Sequence, residues 1–175
     1  MPRSTPEAAT TPLRLAAGAQ ALVVAHARRQ FPFEACGVLL SRDGAAADGL
    51  VHLALPLPNA RLADGGDAAR CFAIAPADMA RAHRQAREQG LQVSGFFHSH
   101  PLGDARPSPA DVQGSPPWPG LTQLIVALDE RGRVALRAYT PDAELPHWHE
   151  RAVHTVITAP APARAASPQA RSQEV

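Results

Sequence analysis

At 175 residues the chain is long enough for one domain with a substantial core and too short for two. The 17 basic residues, all arginine, nearly balance 16 acidic ones and lie scattered, so no nucleic-acid-binding footprint is expected. No stretch reaches membrane-spanning length, no apolar signal core follows Met1, and two cysteines make no disulfide framework; a soluble cytoplasmic protein is expected.

Residues 1–11, rich in Pro, Thr and Ala, are expected to be a disordered arm, residues 12–158 the folded domain, and the Ala/Pro/Ser/Arg stretch 159–175 a disordered tail. Leu13 and Leu15 suit a short first strand. The spacing of Leu22, Val23 and Ala27 predicts a helix from about Gly18 to Gln30, stopped by Phe31-Pro32, with His26 a surface or core histidine. A strand is predicted from about Glu34 to Leu40, with a turn at Arg42-Asp43-Gly44. Leu50 to Leu57 alternates as one further strand. Both cysteines sit in apolar, strand-like contexts and are expected to be small buried hydrophobes. Cys36, two residues from Glu34, would share its face.

After a Gly/Asp/Ala-rich loop, Pro76, the spacing of Met79, Ala80, His83 and Ala86, and Gly90 predict a helix over 76–89, with His83 on its packed stripe. The strand at 91–100 carries Leu91, Val93, Phe96 and Phe97 and then His98-Ser99-His100-Pro101. Strand side chains alternate, so His98 and His100 project to one side and Ser99 to the other, where it is expected to bond to backbone. Pro101 ends the ladder because it has no N–H. Ser108-Pro109-Ala110-Asp111 reads as a helix start, with Ser as cap and Pro at the first position. That helix is expected to close at Pro116-Pro117-Trp118-Pro119-Gly120, followed by strands at 122–128, 133–139 and about 144–157.

Two imidazoles at a rigid strand end and an aspartate aimed by a helix start are three ligands of the kind zinc accepts, with a fourth tetrahedral position left for water. A second His-x-His, His147-Trp148-His149, has no following acid at a similar spacing and is read as ordinary surface histidine. The sequence carries neither His-Glu-x-x-His nor Pro-Cys-x-x-Cys, and it is too short for the roughly 250-residue barrels in which His-x-His also binds metal.

His98-Ser99-His100-Pro101, then Ser108-x-x-Asp111, resembles the signature of the JAMM (MPN-plus) metalloproteases. The segment Phe31-Pro32-Phe33-Glu34-Ala35-Cys36-Gly37 resembles the glutamate segment of their small bacterial members, and Asn59-Ala60 with Phe72-Ala73-Ile74-Ala75-Pro76 resembles a further part of the pattern. The resemblance implies a single α/β MPN domain. Its curved mixed sheet would be flanked by two main helices, with a short helix carrying the metal aspartate. It implies Zn²⁺ on His98, His100 and Asp111, Glu34 as general base, Ser108 as oxyanion stabiliser and Asn59 near the substrate. Asp104 and Glu130, in turn-like contexts, are weaker rivals for the base. The implied reaction is hydrolysis after the Gly-Gly-like tail of a ubiquitin-like or sulfur carrier protein. The alternatives are a silent scaffold of this fold, which usually lacks a ligand or the glutamate, and a zinc amidohydrolase of the same fold acting on a small amide.

Overall fold

The computed structural model describes residues 11–42, 50–114, 121–141 and 148–158. The predicted turn residues Asp43 and Gly44, the helix stop at 116–120, His147, residues 1–10 of the N-terminal arm and the tail at 159–175 lie outside them.

Among the described residues the order is β1 (Leu13–Ala16), α1 (Ala17–Gln30), β2 (Cys36–Arg42), β3 (Leu50–Val51), β4 (Leu53–Leu57), a 3-10 turn (Ala60–Leu62), α2 (Pro76–Glu88), β5 (Leu91–Pro101), α3 (Pro109–Gly114), β6 (Thr122–Leu128), β7 (Val134–Pro141), β8 (Trp148–Arg151) and β9 (Val153–Val156). Six strands form one mixed sheet in the order β4-β2-β5-β6-β7-β8, and β3-β1-β9 form a smaller parallel one. The fold is the expected mixed α/β arrangement. No helix among the described residues is long and apolar enough to cross a membrane.

Alternation along the strands distributes the core. Leu39, Phe97, Leu124, Val126 and Leu128 face α1, meeting Ala19, Val23 and Ala27 at helical spacing. Val38, Leu40 and Phe96 face the other way, under Ala82 and Ala86 of α2. Phe96 and Phe97, adjacent in sequence, therefore serve opposite faces, and His98 and His100 continue the Phe96 side. The parallel β5–β6 pair sets His98 opposite Ile125 and His100 opposite Ala127, while β2 brings Cys36 beside His98. The histidines thus end a strand that has neighbours on both edges.

Several expectations are corrected. The single strand over 50–57 is two, because the chain passes from the small sheet to the large one at His52, whose N–H bonds to the Leu40 carbonyl at 2.9 Å. The predicted C-terminal strand divides in the same way at Ala152. His83 is exposed, because α2 turns Ala82 and Ala86 inward instead. Cys36 is buried in β2, whereas Cys71 is half-buried outside any strand, its thiol donating to the Asp67 carbonyl; both thiols are free. Glu34 precedes β2 instead of opening it, so its direction is set by loop contacts and not by strand alternation.

Candidate metal centre

The ligand group assembles from two elements. His98 is fully buried and His100 nearly so, and α3 delivers Asp111 to both. The start of α3 is reciprocally capped: Ser108 Oγ accepts from the Asp111 amide (3.2 Å), and the Ser108 amide donates to Asp111 Oδ2 (2.7 Å). His98 Nε2 lies 3.2 Å from Asp111 Oδ1, His100 Nε2 lies 3.2 Å from Oδ2, and the two Nε2 atoms are 3.1 Å apart. The donor atoms of these three residues lie within 4.8 Å of one another, so they form a group able to hold a metal ion.

The donor chemistry fits a cation. His100 Nδ1 lies 2.8 Å from the Asp104 carbonyl, which can only accept, so Nδ1 carries a proton and Nε2 faces the group, donating to Asp111 when the ring is charged and offering a cation its lone pair when the ring is neutral. Complete burial pushes the His98 pKa below its ordinary value, against the hydrogen bond to Asp111, so this ring favours its neutral, ligating form. Burial opposes ionisation of Asp111, yet the hydrogen bonds from His100 and His98 hold its carboxyl well below the usual range. For His100, burial is outweighed by its bonds to Asp111 and the Asp104 carbonyl, and its pKa is raised.

Glu34 stands beside this group without belonging to it. Its side chain is buried, Oε2 has no hydrogen-bond partner among the described residues, and burial pushes its pKa up to about 7, with the His100 charge pulling it down and Asp111 pushing it up. Ser99 points to the opposite face, as expected, and there its Oγ accepts from the Ala35 amide at 2.8 Å while its own N–H donates to the Ala35 carbonyl at 2.9 Å. The rival acids are solvent-exposed. Asp104 contributes its carbonyl, not its carboxylate. His149 lies on β8 opposite Thr140 and has no place in the ligand group.

Asn59, expected near the substrate, is buried, and its amide is fully engaged with backbone. No side-chain donor or acceptor is left over for a substrate. Two contributors were missed by sequence reasoning. The Asp104 carbonyl leaves no side-chain signal. Phe72, whose ring stacks on His98 with centroids 4.7 Å apart at 22°, was visible only as part of a family-like segment.

A sheet between two helices, with paired histidines closing its central strand and an aspartate brought in by a capped helix, is the architecture implied by the JAMM resemblance. The family model for prokaryotic homologues of the JAB domain matches residues 16–139, and the chain belongs to this JAMM/MPN family. A protein of Haloferax volcanii named desampylase is 30% identical over 134 residues, covering 74% of this chain and 89% of that protein. Two solution structures are also similar. One, of a protein from Desulfitobacterium hafniense, is 29% identical with a TM-score of 0.69, over 83% of this chain and 93% of that one. The other, from Salinibacter ruber, is 28% identical with a TM-score of 0.61, over 84% of this chain and 92% of that one.

Proposed function

We propose that the protein is a zinc-dependent hydrolase that cleaves the peptide or isopeptide bond following the Gly-Gly-like tail of a ubiquitin-like or sulfur carrier protein. The observation that carries this reading is a buried carboxyl, Glu34, set beside three converging metal-ligating side chains without being bonded to them. The similarity to a desampylase supports a ubiquitin-like modifier as the class of substrate.

Zinc held by His98, His100 and Asp111 would supply Lewis acidity, lowering the pKa of water to about 7 and polarising the scissile carbonyl. Glu34, balanced near neutrality, takes the proton of the attacking water and returns it to the leaving amine. The Ser108 hydroxyl, whose oxygen already accepts from the Asp111 amide, keeps its own proton free to donate to the developing oxyanion. Phe72 covers the His98 ring and keeps water from that side. A substrate tail of two glycines suits such a site because, lacking Cβ atoms, it can lie close to backbone.

The test begins with zinc content. About one zinc per chain is expected in the purified protein and its loss in His100→Ala. The zinc-loaded protein should then cleave a linear fusion of a Gly-Gly-ended ubiquitin-like protein to a fluorescent protein, lose this activity to a chelator, and regain it with zinc. Failure of the wild type to bind zinc would sink the enzyme reading, and zinc binding without cleavage would sink the assigned substrate class.

A further inference from the structure

Asn59 ties together three stretches of backbone, at Glu34, at Arg61 in its own turn, and at Cys71 and Ala73. Its Nδ2 donates to the carbonyls of Glu34 (3.0 Å) and Cys71 (3.2 Å), and its Oδ1 accepts from the amides of Arg61 (3.0 Å) and Ala73 (3.2 Å). A side-chain amide offers two N–H donors and two lone pairs, so this buried group is saturated, and a saturated buried polar node is rigid.

The partners are informative. The Glu34 carbonyl and the Ala35 N–H belong to one peptide plane. Asn59 holds that plane at its carbonyl end and Ser99 Oγ at its N–H end (2.8 Å), while the Glu34 N–H is fixed on the Ala68 carbonyl (2.8 Å). With the backbone gripped on both sides of its Cα, the Glu34 side chain has a fixed point of departure. On the other side, Cys71 and Ala73 flank Phe72, so the same amide brackets the residue whose ring lies on the His98 imidazole.

We propose that Asn59 is the positioning residue of this site. It locks the Glu34 segment to the 71–73 segment, so that the Glu34 carboxyl and the Phe72 ring are set together against His98, His100 and Asp111. The inference rests on reading Glu34 as the general base. Asparagine suits the task because only a short side chain with both donors and acceptors serves two carbonyls and two amides at once. Aspartate in its place would turn an oxygen toward the Glu34 and Cys71 carbonyls, which repel it.

The experiment uses Asn59→Asp, alone and combined with Glu34→Gln. It reads zinc per chain, amide hydrogen exchange, and kcat and KM on the Gly-Gly fusion. Zinc content should stay at the wild-type level. Exchange at Ala35 and Glu34 should accelerate about tenfold or more, while the Leu124, Ile125 and Val126 amides of β6 keep their protection. In the same variant kcat should fall about 100-fold with KM within about twofold, the size of effect expected when a catalytic group is misplaced by about 1 Å. Because Asn59 acts through Glu34, Asn59→Asp should add nothing to the loss already caused by Glu34→Gln.

Unchanged exchange at Ala35 and Glu34 would overturn the proposal. So would unchanged kcat per folded chain, or losses that multiply in the double variant, since either outcome leaves Asn59 a merely structural residue. The two levels fail separately. Wild-type turnover in Glu34→Gln refutes the base assignment and this inference with it, whereas an inactive Glu34→Gln beside a fully active Asn59→Asp refutes the positioning role alone. Should Asn59→Asp fail to fold, Asn59→Ser, which buries no charge, is judged by the same criteria.

Discussion

Only 4% of Glu34 is exposed, one of its oxygens lacks a hydrogen-bond partner among the described residues, and burial raises its pKa from 4.5 to about 7. A base must be ionised to act, so cleavage should rise with pH across this range. A divalent cation beside the carboxylate favours its charged form, which sets the acid limb of the kcat/KM profile at or below about pH 7. Glu34→Gln should keep zinc and fold yet lose hydrolysis by about 10²–10⁴-fold, and its residual profile should lack that limb. The same pKa shift makes a stability prediction for the metal-free protein. Between pH 4.5 and about 7 the folded state holds a proton that the unfolded chain has released, so stability declines as pH rises through this window. Glu34→Gln should therefore stabilise the metal-free protein by about 3 kcal/mol at pH 8 and hardly at all at pH 4, measured by denaturant midpoints. Equal midpoints at pH 8 would contradict the burial argument.

At the scale of elements, α3 and β5 divide the work of presenting ligands. The reciprocal cap between Ser108 and Asp111 aims the carboxylate at the histidines while satisfying the helix start. Ser108→Ala should cost about 1 kcal/mol through the lost cap. Loss of the hydroxyl should lower kcat by a further, separable amount, about 10²–10³-fold. Ser108→Thr, which retains both functions, should restore much of each; activity intact in the alanine variant would remove Ser108 from the reaction. In β5, Gly95 lies so close to β6 that an added Cβ would collide with the Thr122 carbonyl. Gly95→Ala should force the parallel pair apart, lowering stability by about 1–3 kcal/mol and weakening zinc binding together, because the same strand carries His98 and His100. A melting temperature and zinc affinity equal to those of wild type would show that the sheet yields there more easily than its geometry indicates.

Across the whole molecule, two sheets are joined where the chain steps from one to the other. At the second crossing Ala152 accepts from the Leu13 amide at 2.8 Å. The half-buried Arg151 donates through Nε to the Thr11 carbonyl (2.7 Å) and through Nη1 to Thr122 Oγ1 (2.9 Å). Thr122 opens β6 opposite Gly95, at the far end of the strand pair from the histidines. Arg151→Met should therefore lower the unfolding free energy by about 1–3 kcal/mol while zinc content and kcat per folded chain stay unchanged. A specific loss of zinc in that variant would show that the junction and the metal centre are coupled.

How much of this was legible depended on the range of the interaction. The ligand triad could be read because His-x-His at a strand end and Ser-x-x-Asp at a helix start are local devices, whose geometry follows from strand alternation and capping within a few residues. The bounds of β6 were readable for the same reason, since an apolar run flanked by turn residues carries its own limits. The division of 50–57 at His52 was not readable: both halves are apolar, and only the partners β1 and β2 assign them to different sheets. The outward turn of His83 was likewise decided by which face of α2 meets Val38, Leu40 and Phe96. The sequence by itself determined the family, the mixed α/β class and the three side chains able to hold a metal. The tertiary structure alone decided that Glu34 is held from the loop before β2, that the Asp104 carbonyl orients His100, and that the Asn59 amide faces backbone. Those contacts join segments 4 to 64 residues apart, several through backbone atoms that every residue possesses, and so they leave no mark on residue identity.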